Sequence, residues 1–232
     1  MKRQAIVILA AICCLLSIPV HAQLQDQRHN FSVGVNGGVN LSSVSFDPSI
    51  KQNNLIGPEF GVTLRYVSEK YFKMICGIQM EINYSQRGWK EKIEDESGDS
   101  YQRAMNYLEI PILAHLAFGK DKGYGVRFVV NLGPQVGFLL SEKTTQSAEF
   151  HPEMRPNGVT AQYDMPAEVK FDYGLIGGVG LEIRTGIGSF LAEGRYYFGL
   201  SDFYNSTKKD YFSRSAHSYI GARITYLFDI TK

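Results

Sequence analysis

The sequence predicts an all-β fold: an eight-stranded antiparallel up-and-down transmembrane β-barrel. Three observations carry that prediction. Apolar/polar stretches around Val35, Phe60, Ile78, Ile110, Val130, Val179, Tyr196 and Ile224 read as eight strands. The segments between them alternate between long and short, as in bacterial outer-membrane barrels, where long loops lie outside and short turns face the periplasm. The apolar faces span about ten residues, the length a tilted strand needs to cross the hydrocarbon.

The strands are expected near 31–41, 58–67, 72–88, 104–118, 124–140, 168–184, 189–200 and 217–229. The first connection, Leu41 to Pro58, is long, and Ser68-Glu69-Lys70-Tyr71 is tight. The polar stretch Lys90 to Arg103 follows, then the short Lys120-Asp121-Lys122-Gly123. Ser141 to Glu168 is the longest connection, Thr185-Gly186-Ile187-Gly188 is tight, and Ser201 to Ser215 is long. An even strand count returns both termini to the side of the short turns.

Side chains on a strand alternate between its faces. In the third segment Met74, Cys76, Ile78, Met80, Ile82 and Tyr84 share one face, and Gln79, Glu81 and Asn83 lie on the other. The fourth sets Leu108, Ile110, Ile112, Ala114, Leu116 and Phe118 against Tyr107, Glu109, Leu113 and His115. The fifth, sixth, seventh and eighth repeat the pattern. A soluble barrel of the lipocalin kind would turn the apolar face inward. The span of the apolar faces favours the inverted arrangement. So do the aromatics that end several of them: Tyr66, Tyr84, Trp89, Phe118, Phe138, Phe171, Phe198 and Phe228.

The polar face then becomes the lumen. It is expected to hold Arg65, Gln79, Glu81, Glu109, His115, Arg127, Asn131, Gln135, Asp172, Glu182, Arg184, Glu193, Arg195 and Arg223. Eight strands enclose only enough space for side chains. Buried charges persist when paired and hydrogen-bonded, so this mixed-sign set predicts a packed network with little or no conductance. Glycines on the same face (Gly133, Gly137, Gly174, Gly178, Gly180, Gly221) make room for the long Arg and Glu side chains.

Residues 1–22 have the form of a signal peptide, leaving 23–232 as the barrel domain. Lys2 and Arg3 precede the apolar run Ala5 to Ile18, and Val20-His21-Ala22 is a small-x-small cleavage site. Cys13 and Cys14 fall inside it, so Cys76 is the one thiol of the mature chain and reads as a small apolar side chain. Without that segment the chain carries 22 basic and 23 acidic residues, and no basic stripe suits it to nucleic acid.

Several segments together resemble the PorT-like outer-membrane β-barrel proteins of Bacteroidota. They are Gly34-Val35-Asn36-Gly37-Gly38-Val39-Asn40-Leu41-Ser42, Tyr84-Ser85-Gln86-Arg87-Gly88, Asn106-Tyr107-Leu108-Glu109-Ile110-Pro111 and Gly133-Pro134-Gln135-Val136-Gly137. Asp172-Tyr173-Gly174 with Gly177-Gly178-Val179-Gly180, then Arg195-Tyr196-Tyr197 and Leu200, complete the set. The resemblance implies an eight-stranded barrel in the cell outer membrane, surrounded by lipid. It implies little about activity.

No signature of catalysis, cofactor or metal stands out. The glycine run at Gly174–Gly180 would need a following helix to cradle phosphate, and a strand continues through Ile183 instead. His29, His115, His151 and His217 show no metal-ligand spacing; the last two are placed on loops. The charged run from Lys90 reads as a solvated tip. The loop Phe150 to Met165, with His151-Pro152, Arg155-Pro156, Tyr163 and Met165, suits contact with a protein or glycan partner. The leading expectation is a non-enzymatic anchor or interaction protein. The alternatives are a small diffusion porin and an outer-membrane enzyme.

Overall fold

The computed structural model describes residues 26–231 apart from 96, 121–122, 155–157 and 164. The signal-peptide reading of residues 1–22 lies outside the described residues, as do Arg155 and Pro156.

Eight antiparallel strands pair each with the next in chain order, and the first closes on the last. They are β1 (Asp26–Asp47), β2 (Gln52–Tyr71), β3 (Met74–Glu91), β4 (Tyr101–Gly119), β5 (Gly125–Gln146), β6 (Phe171–Thr185), β7 (Gly188–Gly199) and β8 (Arg214–Asp229). Closure runs from Ser32 opposite Asp229 to Asp47 opposite Arg214. One end of the barrel carries the connections 72–73, 120–124 and 186–187, and is called the turn end here. The other carries 48–51, 92–100, 147–170 and 200–213, and is the loop end.

The first loop is shorter than its composition predicts. Leu41–Pro58 reads as a long connection, yet β1 runs on to Asp47 and β2 starts at Gln52, leaving four residues. Small polar residues carry this extension. Ser42 Oγ donates to the Gly88 and Leu55 carbonyls at 3.0 and 3.2 Å and accepts from the Gly88 amide at 2.9 Å. A serine-rich strand shows no apolar period, so the pattern fades before the strand does. For the same reason β5 reaches Gln146 along Ser141–Gln146, a row exposed on both faces.

Alternation decides which face is inside. Along the middle of β2 to β8 charged side chains such as Arg65, Glu81, Glu109, Arg127, Glu182, Arg195 and Arg223 are buried, while large apolar residues of the opposite parity are exposed, Leu132 at 61% and Ile224 at 63%. A water-soluble barrel would be unstable with that surface, because a continuous apolar band is favourable only against an apolar medium. Of the aromatics expected at the ends of apolar faces, Trp89 departs. It is odd-numbered on β3, the parity of Gln79, Glu81 and Arg87, and it lies fully buried inside the loop end.

Candidate functional site

Inward residues fill the barrel in layers. At the turn end Arg184, half-buried at the rim, pairs with Asp229 at 3.1 Å, and Ser32 Oγ donates to Asp229 at 2.6 Å. Deeper, Glu182 pairs with Arg65 and, at 3.5 Å, with Arg127. Arg127 Nε also donates to the Lys120 carbonyl at 2.8 Å. The pocket between these groups holds about 30 Å³, room for a water or two. Below it Ile75, Ala117, Val129 and Leu191 form a small apolar layer.

The middle layer centres on Glu81. Arg195 grips both its oxygens, at 2.9 and 2.7 Å, a bidentate fork that fits a carboxylate. Arg223 Nη1 adds a contact at 2.8 Å and spans to Glu59 at 3.0 Å. Gln79 and Asn83 donate to Glu81 at 2.6 and 2.9 Å. Arg195 also holds Glu193, which accepts from Asn131 at 2.7 Å, and Asn131 Oδ1 meets His115 Nδ1 at 2.8 Å.

The third layer centres on Arg87. Its Nε lies 2.5 Å from Glu109 and its Nη1 2.7 Å from Asp172. The guanidinium stacks near three rings, 4.4 Å from Tyr107, 4.8 Å from Tyr197 and 5.4 Å from Tyr219. Tyr197 donates to Asp172 at 2.7 Å; Tyr219 and Gln135 donate to Glu109 at 3.1 and 3.0 Å. Counted over the described residues below the cap, the lumen buries five guanidinium groups (Arg65, Arg87, Arg127, Arg195, Arg223) and six carboxylates (Glu59, Glu81, Glu109, Asp172, Glu182, Glu193).

Above it the loops fold down into a cap. Val44, Phe46, Trp89, Tyr101, Met105 and Tyr107 rise from the strands to meet Ile50, Ala167, Phe203, Tyr204 and Phe212 from the connections. Phe46 sets its ring edge-on to Trp89 at 5.1 Å, and Trp89 stacks on Phe203 at 5.8 Å. Arg103 ties the layer to its surroundings, meeting Glu142 at 2.6 Å, Tyr204 Oη at 3.0 Å and the Met165 carbonyl. Burial pushes the Tyr204 phenol well above its ordinary range, against the pull of Arg103.

The cap revises several expectations. Phe150, Tyr163 and Met165, read as contact residues for a partner, pack inward against this cluster. Tyr163 donates to Glu91 at 2.8 Å. Asp99, within the supposedly solvated charged run, is buried and accepts from the His151 amide at 2.8 Å. His217 is not on a loop; it sits in β8, buried, its Nε2 3.3 Å from Tyr107 Oη. The glycine run Gly174–Gly180 lies inside β6, which continues to Thr185. Among the described residues no group of three or more His, Cys, Asp and Glu is placed to hold a metal ion.

Sequence reasoning overlooked Arg87 and Glu59, two of the groups that organise the network. Parity was the available signal. Arg87 continues the series Gln79, Glu81, Asn83 and Ser85, and Glu59 precedes Arg65 by three alternations on β2. The motifs that carry the resemblance also meet here. Arg87, Glu109 and Asp172 come from three separate motifs, and Gln86 and Asn106 of the first two join at 3.0 Å.

A recess of about 320 Å³ opens between the loops. Ile50, Ile93 and Val159 supply apolar lining, and at its edge Glu94 bridges Lys51 at 3.0 Å and Lys92 at 2.5 Å. Hydrogen bonds from Lys92 and Lys51 hold the Glu94 carboxyl at a pKa of about 2.

A closed, inside-polar, outside-apolar ring of eight antiparallel strands defines a transmembrane β-barrel. The chain belongs to the outer membrane protein beta-barrel domain family, whose model matches residues 21–205. It is an outer-membrane protein, and its exposed apolar band contacts lipid. Solved structures similar to it include Ail, the attachment invasion locus protein of Yersinia pestis (14% identity, TM-score 0.36, 85% of this chain and 98% of that one). Others are OprG from Pseudomonas aeruginosa (10% identity, TM-score 0.44, 87% and 97%) and Neisserial surface protein A (11% identity, TM-score 0.40, 84% and 96%). Identities this low say nothing about activity. No curated protein sequence matches the chain.

Proposed function

We propose that this protein is a non-enzymatic, non-conducting anchor that holds a folded loop assembly at the membrane surface for a protein or glycan partner. One observation carries the reading: the lumen is filled from rim to rim, by ion pairs below and by the aromatic cap above. Eight strands leave space for side chains and little else, and each charge of the network has an opposite partner within 3.5 Å. A solute path would require several of these pairs to part together.

With Phe150, Tyr163, Phe203, Tyr204 and Phe212 packed inward, the partner-facing surface is the outer side of the cap. The recess between Ile50, Ile93 and Val159, with Lys51, Lys92 and Glu94 at its rim, is the concave part of that surface. We place the loop end outside the cell and both termini in the periplasm. The PorT-like motifs, converging on the Arg87 cluster, support membership of that narrower group. The signal-peptide form of residues 1–22 supports export across the inner membrane.

Planar-bilayer recording and cross-linking in native membranes test the reading together. Absence of steady conductance, with a cross-linked partner from a photoreactive residue at position 51, is the expected result. Large steady channels from purified protein would replace it with the small diffusion porin.

A further inference from the structure

We infer that the turn end of the barrel is sunk in the membrane interface, its turn tips seated among lipid headgroups and upper acyl chains. Each of the four corners at that end carries a large, exposed apolar side chain. Phe72 tips the β2–β3 turn, Tyr124 precedes β5, Ile187 tips the β6–β7 turn and Ile230 follows β8. The first three expose 68% of their surface and Ile230 exposes 55%.

Continuity with the lipid-facing band identifies the occupant. Each tip keeps the parity of the outward stripe beside it. Phe72 continues into Met74, Cys76 and Ile78. Tyr124 continues into Val126, Phe128 and Val130. Ile187 lies two alternations beyond Ile183, and Ile230 one beyond Phe228. The stripe therefore runs past Tyr66, Phe118 and Phe228, aromatics that end the apolar faces on this side, to the end of the molecule. A barrel whose turns stood in water would end its stripe at those aromatics and finish in polar turn residues.

The Phe72 backbone makes the same point. Its φ is +54°, a left-handed position that glycine occupies most readily and a bulky residue adopts under strain. Glycine would relieve the strain, yet the position holds an aromatic ring, largely exposed and edge-on to Tyr71 at 4.6 Å. A ring exposed at a strained turn gains nothing in water and gains burial in an interface, where amphipathic and aromatic side chains settle. The exposed lysines Lys73 and Lys120, adjoining these turns, set their ammonium groups where lipid phosphates lie.

Depth-resolved quenching tests this. The variants F72C, Y124C and I187C, with S206C at the loop end as an aqueous reference, are made in a C76A background. Each is labelled with an environment-sensitive fluorophore and refolded into phosphatidylethanolamine/phosphatidylglycerol vesicles, with heat-modifiable migration confirming the barrel. Lipids brominated near the headgroup end of the chain should remove most of the emission at 72, 124 and 187 and leave 206 unaffected, while iodide does the reverse. Iodide quenching at the three tips equal to that at 206 would place them in water and overturn the inference. Shielding from both quenchers, with cross-linking between copies, would overturn it in favour of self-association. Tyr124 lies against Gly186, so if Y124C fails to fold, positions 72 and 187 decide the outcome alone.

Discussion

Arg87 on β3 reaches across the barrel to Asp172 on β6, its Nη1 2.7 Å from Oδ2. The two strands are not neighbours, so this bond ties separate walls of the barrel together, and its companion to Glu109 on the adjacent β4 extends the tie to a third strand. Replacing Arg87 with Met keeps much of the volume and leaves two carboxylates without their cation. Breaking a buried pair from one side costs about 3–5 kcal/mol. The expected result is a lower denaturant midpoint in micelles for R87M, with part of the loss recovered in R87M/E109Q. An unchanged midpoint for R87M would mean the charges are solvated and the lumen is open.

Glycines set the space in which the network fits. A Cβ added at Gly178 would lie 2.7 Å from Glu193 Oε1 and 2.8 Å from Arg195 Cγ, closer than atoms pack. At Gly194, on the outward face, nothing lies within 4 Å. Overpacking costs about 1–3 kcal/mol. Gly178→Ala is therefore expected to lower stability by that order, and Gly194→Ala to leave it nearly unchanged. Equal effects of the two would show that strand conformation, rather than lumen space, governs these positions.

The barrel was legible in the sequence because strands that divide lipid from a polar lumen must alternate, and Ile78, Glu81, Ile110 and Glu109 display that alternation plainly. The strand ends were less legible. Ser42, Ser43 and Ser45 stand above the lipid band, where no apolar medium enforces alternation. The cap was not legible at all. Phe203, Tyr204 and Phe212 come from one loop, Ala167 from another and Trp89 from a strand end, and only the closed barrel brings them together. Glu109 and Asp172 could be assigned to the lumen by parity, but their shared cation lies 22 and 85 residues away, a pairing no local spacing reveals.

The cap and the barrel are expected to separate energetically. Phe203 is buried between Trp89, Phe46 and Tyr204, and truncating a buried phenylalanine costs about 3–5 kcal/mol. Phe203→Ala removes ring contacts in the cap and none in the Glu81 layer. Hydrogen exchange should accelerate in 147–170 and 200–213 while β-strand amides in the membrane band keep their protection. Heat-modifiable migration should persist. Loss of the barrel itself would show that the cap is integral to its stability.

Glu94 offers a test at the recess. Its pKa of about 2 lies below the ordinary carboxylate value of 4.5 because Lys92 and Lys51 donate to it. A depressed pKa stabilises the ionised rim above pH 4.5 and surrenders that contribution as pH falls toward 2. The rim should therefore stay ionised through mild acid. Because the group is exposed, salt screens the pairs. Carbon-13 titration of the Glu94 carboxyl should place its midpoint below 4.5 at low salt and move it upward at 1 M. A midpoint at the ordinary value under both conditions would show that the bridge does not form in solution.

Orientation follows from the unequal ends. Three connections at the turn end span two to five residues, whereas the loop end carries connections as long as 147–170. In outer-membrane barrels the long side faces out. With eight strands, the chain enters and leaves at the turn end, so that end should face the periplasm. The exposed Ser206 lies between Asn205 and Thr207, on the surface of the cap. An epitope inserted there should bind antibody on intact cells, and one appended after Lys232 should bind only after the membrane is permeabilised. The reverse pattern would invert the topology, turning the cap and its recess toward the periplasm and any partner with them.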